Sequence, residues 1–347
     1  MRTIALEEHF STPELAAVAG GARVDVWGQQ IDDRLRDLAE IRLADMDANG
    51  IDLQVISHVA PAAQALTGPE GLARAREAND LLAAAVRAHP DRFAGFATLP
   101  TADPHAAADE LERATGELGF VGAMVNSTLG SNGVFLDDAR FVPLLDRFER
   151  LDVPLYLHPA PPSAGLSQIL YGGLPPAAAA RLATGAWGWH AEAGLHVLRM
   201  IAAGVFDRHP ALRLIIGHCG EMLPFMLARI DAMLRLDTIT MKPSEYFARN
   251  IWVTTSGLFS IPPVMCTVQV LGVDRVLFSV DYPFGPNAAG RALLDTLPLS
   301  REDVAKIAAG NAERVLRLTH PANPGGPNPN PSPDPAPDPT PTTAPAQ

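Results

Sequence analysis

The sequence predicts a (β/α)8 barrel, and three observations predict it. Eight short apolar runs alternate with helical stretches over about the first 318 residues. Runs such as Ile215-Ile216 and Val276-Leu277-Phe278 are apolar without strict alternation, as parallel strands covered on both faces are. Several runs end in a carboxylate or an imidazole, and a closed barrel collects all its strand ends on one face. A doubly wound open sheet would alternate in the same way but would not gather those ends together.

The elements follow in order. Strand one spans residues 4–10, where Ile4-Ala5-Leu6 runs into Glu7-Glu8-His9. The two-residue period of a strand sends Glu7 and His9 to one face and Glu8 to the other. Ser11-Thr12-Pro13-Glu14 reads as a helix start with proline in the first turn. Residues 15–30 read as irregular, with Gly20-Gly21 and Trp27. One helix is expected over 31–49, with Leu35, Leu38, Ile41 and Met46 on one face and Gly50 as its stop. Strand two covers 52–57 and is followed by His58; a helix rich in alanine and arginine covers 69–88 and stops at His89-Pro90. Strand three covers 93–99, a helix opened by Asp103 runs to about 118, and strand four covers 121–126. A Gly/Ser/Asn loop, a helix over 139–151 and strand five over 154–158 come next. The connection 159–178 is rich in Pro and Gly and reads as a long loop that shapes specificity. A long helical region, 179–206, carries Trp187, Trp189, His190, Glu192 and His196. Strand six at 212–218, a helix at 221–236, strand seven at 251–255, a helix at 262–271, strand eight at 275–280 and a closing helix at 301–318 complete the barrel. The domain division is therefore 1–318 for the barrel and 319–347 for a Pro-rich tail, expected to be disordered with polyproline II character.

Composition narrows the class. With 47% apolar and 19% charged residues among 347, the chain can bury a large core. Its net charge of −12 argues against nucleic acid or an anionic membrane as partner. Two cysteines, Cys219 and Cys266, point to a reducing compartment without a disulfide framework. Neither a leader peptide nor a membrane span is expected, so the location read from the sequence is cytoplasmic.

Glu7, His9, His158 and Asp281 are the candidate metal ligands, standing at the ends of strands one, five and eight. Oxygen and imidazole donors suit one divalent ion per chain, with zinc the first choice and manganese or magnesium the others. Asn126 stands at the end of strand four, and Lys242 and Lys306 are the only lysines.

The chain resembles the amidohydrolase superfamily, in its branch of metal-dependent non-oxidative decarboxylases. It is most similar there to the γ-resorcylate and 2,3-dihydroxybenzoate decarboxylases, and more distantly to aminocarboxymuconate-semialdehyde decarboxylase. The resemblance covers residues 1 to about 318 and rests on several motifs in order. These are Ala5-Leu6-Glu7-Glu8-His9-Phe10, Gly119-Phe120-Val121-Gly122-Ala123 with Asn126, and Tyr156-Leu157-His158-Pro159. Gly217-His218-Cys219-Gly220-Glu221 with Leu223-Pro224 and Arg229-Ile230-Asp231, Phe278-Ser279-Val280-Asp281-Tyr282-Pro283-Phe284 and Gly310-Asn311-Ala312 complete the set.

By that resemblance Glu7, His9, His158 and Asp281 match the metal ligands, His218 the histidine near the substrate, and Glu221 its hydrogen-bonded partner. Arg229 matches an arginine that reaches a substrate carboxylate across a subunit contact, which implies a homodimer or homotetramer. Two departures mark the chain: Pro159-Ala160-Pro161-Pro162 replaces the decarboxylases' Pro-Arg-Asn, and His58 stands where an asparagine is usual. The implied reaction is the reversible decarboxylation of a 2-hydroxybenzoate-type aromatic acid, with Asp281 as proton donor to the ring carbon. Trp187, Tyr282 and Phe284 are expected to wall the site, and His58 and Asn126 to contact substrate. The alternatives are a metal-dependent hydrolase or hydratase, acting on a lactone, amide or unsaturated acid, and a metal-binding barrel without turnover.

Overall fold

The computed structural model describes residues 1–19, 29–127, 129 and 133–318. The tail 319–347, Trp27 and most of the Gly/Ser/Asn loop lie outside the described residues.

The strands are β1 (Ile4–Phe10), β2 (Leu53–His58), β3 (Phe93–Gly95), β4 (Ala97–Thr98), β5 (Ala123–Asn126), β6 (Leu155–His158), β7 (Leu214–Ile216), β8 (Ile251–Thr254) and β9 (Val276–Leu277). All pair in parallel, in the orders β1-β2-β3 and β4-β5-β6-β7-β8-β9. β3 and β4 are one expected strand interrupted at Phe96, whose N–H bonds to Ile56 O at 2.9 Å, so eight barrel positions remain. The last seam closes by other bonds. Glu7 N–H donates to Ser279 Oγ at 2.7 Å and His9 N–H to Tyr282 O at 2.6 Å. Glu8, on the outer face of β1, accepts from Val280 N at 3.0 Å and Tyr282 N at 2.8 Å.

Two apolar clusters sort the strand residues. Ile4, Leu6, Val55, Met124, Tyr156, Ile215 and Leu277 fill the barrel, closed below by Ala312 and Val315. Ala5, Ile56, Val125, Leu155, Leu157, Leu214, Ile216 and Val253 face outward to the helices. Along β1 the pairing slips: Ala5 opposes Gln54 but Glu8 opposes Ile56, so β1 carries one extra residue. This bulge swaps the faces. Ile4 and Leu6 point inward, and beyond the bulge Glu7 and His9 do too.

The helical expectations need three corrections. The region 31–49 is two helices, Asp32–Arg36 and Glu40–Asn49, because Asp37 Oδ1 takes the N–H groups of Ala39 at 3.2 Å and Arg42 at 2.8 Å. The long connection after β6 is mostly helical, with Ala164–Tyr171 and Pro176–Ala183, since Pro176 starts a helix rather than breaking one. The single helix over 179–206 is accordingly three, the others being Gly188–Ala202 and Val205–Arg208. Pro243–Asn250 and Asn287–Thr296 add helices that the periodicity did not announce. No helix among the described residues is long and apolar enough to cross a membrane.

Candidate metal centre

The inward parity of β1, β6 and the segment after β9 brings Glu7, His9, His158 and Asp281 together. One ligand atom from each lies within 4.8 Å of the other three. His158 Nε2 is 3.3 Å from Glu7 Oε1, and His9 Nε2 is 3.1 Å from Asp281 Oδ1. The two imidazoles meet edge to face at 4.9 Å. Asp281 is the most open of the four, its side chain 16% exposed.

The donor set fits a divalent cation. Glu7 Oε1 and Asp281 Oδ1 are buried oxygens with no hydrogen-bond donor. Leaving such an oxygen unsatisfied costs roughly 1–3 kcal/mol or more, a cost that a shared cation removes. Neighbours aim the ligands as metal sites require. The Tyr156 hydroxyl donates to Glu7 Oε2 and stands 3.0 Å from Thr254 Oγ1. Ser57 Oγ is 3.3 Å from His9 Nδ1, leaving Nε2 for the cluster. A Cβ at Gly217 would lie 2.6 Å from Glu7 Oε2, so only glycine lets β7 end against this carboxylate. Burial holds His158 down at about 3, which keeps it in the neutral, ligating form. Burial pushes Asp281 up to about 7, against the pull of His218 and His190. A cation among the four would draw it down again.

Beside the cluster, β7 ends in a left-handed run. His218, Cys219, Glu221 and Met222 have φ of 50°, 54°, 52° and 65°. Residues in such regions cost of order 1–3 kcal/mol each and persist where their surroundings over-determine them. The turn sets His218 Nδ1 2.8 Å from Glu221 Oε1, and His218 Nε2 3.9 Å from Glu7 Oε1. Glu221 Oε2 lies 2.6 Å from His190 Nδ1. Burial opposes charge on His218, but Glu221 and Glu7 outweigh it and push the ring up to about 10. Burial likewise opposes charge on Glu221, yet His218 and His190 hold it down at about 2.

This constellation on a parallel barrel agrees with the family match, in which the amidohydrolase family model covers residues 9–318. The chain belongs to the amidohydrolase family. The γ-resorcylate decarboxylase of Rhodococcus jostii (strain RHA1) is 40% identical over 331 residues, 91% of this chain and 98% of that one. A solved 2,6-dihydroxybenzoate decarboxylase complexed with 2,6-dihydroxybenzoate is 39% identical with a TM-score of 0.84, over 92% of this chain and 100% of its own. The dihydroxybenzoic acid decarboxylase of Polaromonas sp. JS666, solved with bound manganese and the inhibitor 2-nitroresorcinol, is 38% identical with a TM-score of 0.84, over 91% and 97%.

In this amidohydrolase the other expected site residues divide. Asn126 faces inward beside His158, its neighbour in register. Its N–H and amide NH2 donate to Gln64 Oε1 at 2.6 and 3.1 Å, and its Oδ1 is buried without a donor. Phe284 packs edge-on to His9 at 5.8 Å. Trp187 is 52% exposed at the start of helix Gly188–Ala202, so core packing is not its role within one chain.

Two expectations are corrected. His58 falls on the outer parity of β2, opposite to Ser57. Its Nε2 accepts from Thr12 N at 3.0 Å and its Nδ1 meets Val59 O at 2.9 Å. Both nitrogens are taken by backbone, so His58 secures the segment after β1 rather than contacting a ligand. Tyr282 is 1% exposed under the Arg42 guanidinium, 4.8 Å from the ring, and does not wall the site. Arg229 is exposed on helix Leu223–Met233.

Sequence reasoning missed the support groups Tyr156, Ser57, Gln64 and Gly217. Tyr156 was within reach, because it lies two residues before His158 and so on the same strand face. His190 carried no such signal.

Proposed function

We propose that Glu7, His9, His158 and Asp281 hold one divalent metal and that Asp281 is the proton donor in the decarboxylation of a 2-hydroxybenzoate-type acid. The observation that carries this is Asp281 itself, a carboxylate inside the cation cluster, partly open to the mouth, with Oδ1 free of any donor. Support comes from the γ-resorcylate and 2,6-dihydroxybenzoate decarboxylases that the chain resembles along nearly its whole length. They favour a carboxy-lyase over a hydrolase or hydratase. The bound metal would orient the substrate phenolate and one carboxylate oxygen and lower the phenol's pKa.

The remaining work belongs to side chains. Asp281, recharged from the protonated His218 beside it, delivers a proton to the ring carbon bearing the carboxylate. The C–C bond then breaks, its electron pair restores the aromatic ring, and CO2 leaves. His218, oriented by Glu221, faces Asp281 and the substrate's phenolate region and returns the proton between turnovers. Asn126 Oδ1, Phe284 and Trp187 bound the substrate. Arg229 reaches a substrate carboxylate in a neighbouring subunit of a homodimer or homotetramer. The donor types suit zinc, manganese or magnesium alike, and the manganese bound in the Polaromonas enzyme supports manganese by analogy. Residues 1–318 form the working unit, and the cytoplasm is its place.

Asp281→Asn separates the two roles of this residue. The variant keeps three ligands and an amide oxygen, so metal remains with lowered affinity. Turnover of 2,6-dihydroxybenzoate is expected to fall by at least the roughly 10²–10⁴-fold of a lost general acid. Carboxylation of resorcinol at high bicarbonate falls with it. Near-wild-type CO2 release from a variant shown by elemental analysis to be metal-loaded would overturn the assignment.

A further inference from the structure

We propose that His190 is a positioning residue that clamps Glu221 from the side of the helical connection, sharing the carboxylate with His218 and thereby fixing the His218 ring toward the Glu7–Asp281 cluster. Each Glu221 oxygen is taken by a different imidazole, Oε1 by His218 Nδ1 at 2.8 Å and Oε2 by His190 Nδ1 at 2.6 Å. The carboxylate cannot rotate without breaking one of them. On its far side His190 is held in turn, with Nε2 3.0 Å from Gly185 O. The two rings also touch, edge to face at 4.7 Å.

The helix that carries His190 is built for this approach. Gly194 lies one turn later on the same face, and a Cβ there would meet Glu221 O at 3.0 Å. The helix therefore packs against the backbone of the turn and reaches the side chain with one face. Its start is equally tight, since a Cβ at Gly188 would lie 2.4 Å from Ala183 O and 2.8 Å from the Tyr171 hydroxyl oxygen. The turn being held is the left-handed run from His218 to Met222, and the His190 contact ties its Glu221 side chain from outside the turn. His190 thus joins the connection after β6, and the chain around Gly185, to the proton-handling pair.

Only the kinetic arm of the test rests on the decarboxylase reading. In protein labelled with [15N]histidine, the His190 and His218 Nδ1–H groups facing Glu221 are expected as two low-field proton signals, with or without added diamagnetic Zn²⁺. His190→Phe removes one and shifts the other; His190→Asn, whose amide can stand in for Nδ1, restores the shift. A His218 signal unmoved in His190→Phe overturns the clamp. In the kinetic arm, with 2,6-dihydroxybenzoate, His190→Phe lowers kcat about tenfold or more with little change in KM, and His190→Asn recovers most of it. A rise in KM alone overturns positioning in favour of a simple wall. Because His190, His218 and Glu221 also have the composition of a cation site, metal content is measured too. Two ions per wild-type chain, falling to one in His190→Phe, overturn the clamp as well. Wild-type protein without CO2 release would remove the function proposed above and leave the spectroscopic result standing.

Discussion

One hydroxyl under the metal cluster shows how much a single atom decides. Tyr156 is buried inside the barrel, and burial pushes its phenol well above the ordinary range, so it stays a donor to Glu7 Oε2. Its ring packs on Phe96 at 5.9 Å. Tyr156→Phe keeps that packing and deletes the donor. Glu7 would then turn more freely, and Mn²⁺ affinity is expected to fall roughly 10–100-fold, the usual consequence of losing an orienting partner of a metal ligand. Titration calorimetry on the apoprotein reads this directly. Unchanged affinity would leave Glu7 held by the barrel alone. Arg42 acts from the opposite side, its buried guanidinium donating to His9 O at 2.5 Å and to Gln54 Oε1 at 3.0 Å. The ligand strand is therefore pinned both at a side chain and at a carbonyl.

Helix Gly188–Ala202 is tied to the rest of the barrel by two histidines with different tasks. His190 meets Glu221, whereas His196 is structural. Leu136 N–H donates to His196 Nε2 at 2.8 Å, so Nδ1 carries the hydrogen and donates to Ser127 Oγ at 3.0 Å. A second proton would break the Leu136 bond. Burial, with a smaller contribution from Arg199, holds this ring down at about 3. The unfolded chain takes up the proton below about 6.5, so the contribution is fully present above that pH and is lost as pH falls toward 3. His158 titrates in the same direction, and the comparison of variants separates the two. Between pH 7 and 5, unfolding free energy from urea denaturation should fall more steeply for wild type than for His196→Asn. The difference in slope is at most about 1.4 kcal/mol per pH unit. Parallel slopes would show that the proton is accommodated in the fold.

At the scale of the whole molecule, stability resides in a closed barrel whose last seam is made by side chains as well as backbone. Glu8 and Ser279 join β1 to the chain around Asp281. Burial pushes Glu8 up to about 7 against the two backbone N–H groups that favour its charged form. Closure thus also places the proposed proton donor beside His9. The sequence of 319–347 alternates between Pro and small or polar residues and so offers no apolar face to bury. A chain ending at residue 318 is expected to keep the melting temperature, metal content and turnover of the full protein. A loss in any of the three would place part of that segment against the barrel.

The sequence by itself determined the parallel barrel and the four side chains that the barrel gathers into one cluster. Eight apolar runs fix an alternating α/β fold because buried strands and amphipathic helices are local patterns. Glu7, His9, His158 and Asp281 stand at the ends of those runs, where a barrel has its open face. Other features are not local, and only the tertiary structure decided them. Leu214, Ile215 and Ile216 look alike in sequence, but Ile215 fills the barrel and its neighbours face helices, a distinction set by strand parity in the closed sheet. Parity counted from Ile4 and Leu6 would have turned Glu8 inward, and the bulge in β1 turned Glu7 and His9 there instead. His58 looked like a ligand contact until its outward parity gave both nitrogens to backbone. The connection after β6 read as a loop because Pro and Gly dominate it, yet proline in a first turn is compatible with a helix. The His190–Glu221–His218 clamp joins residues 31 apart through the packing of one helix on one turn. No periodicity within either segment encodes that approach.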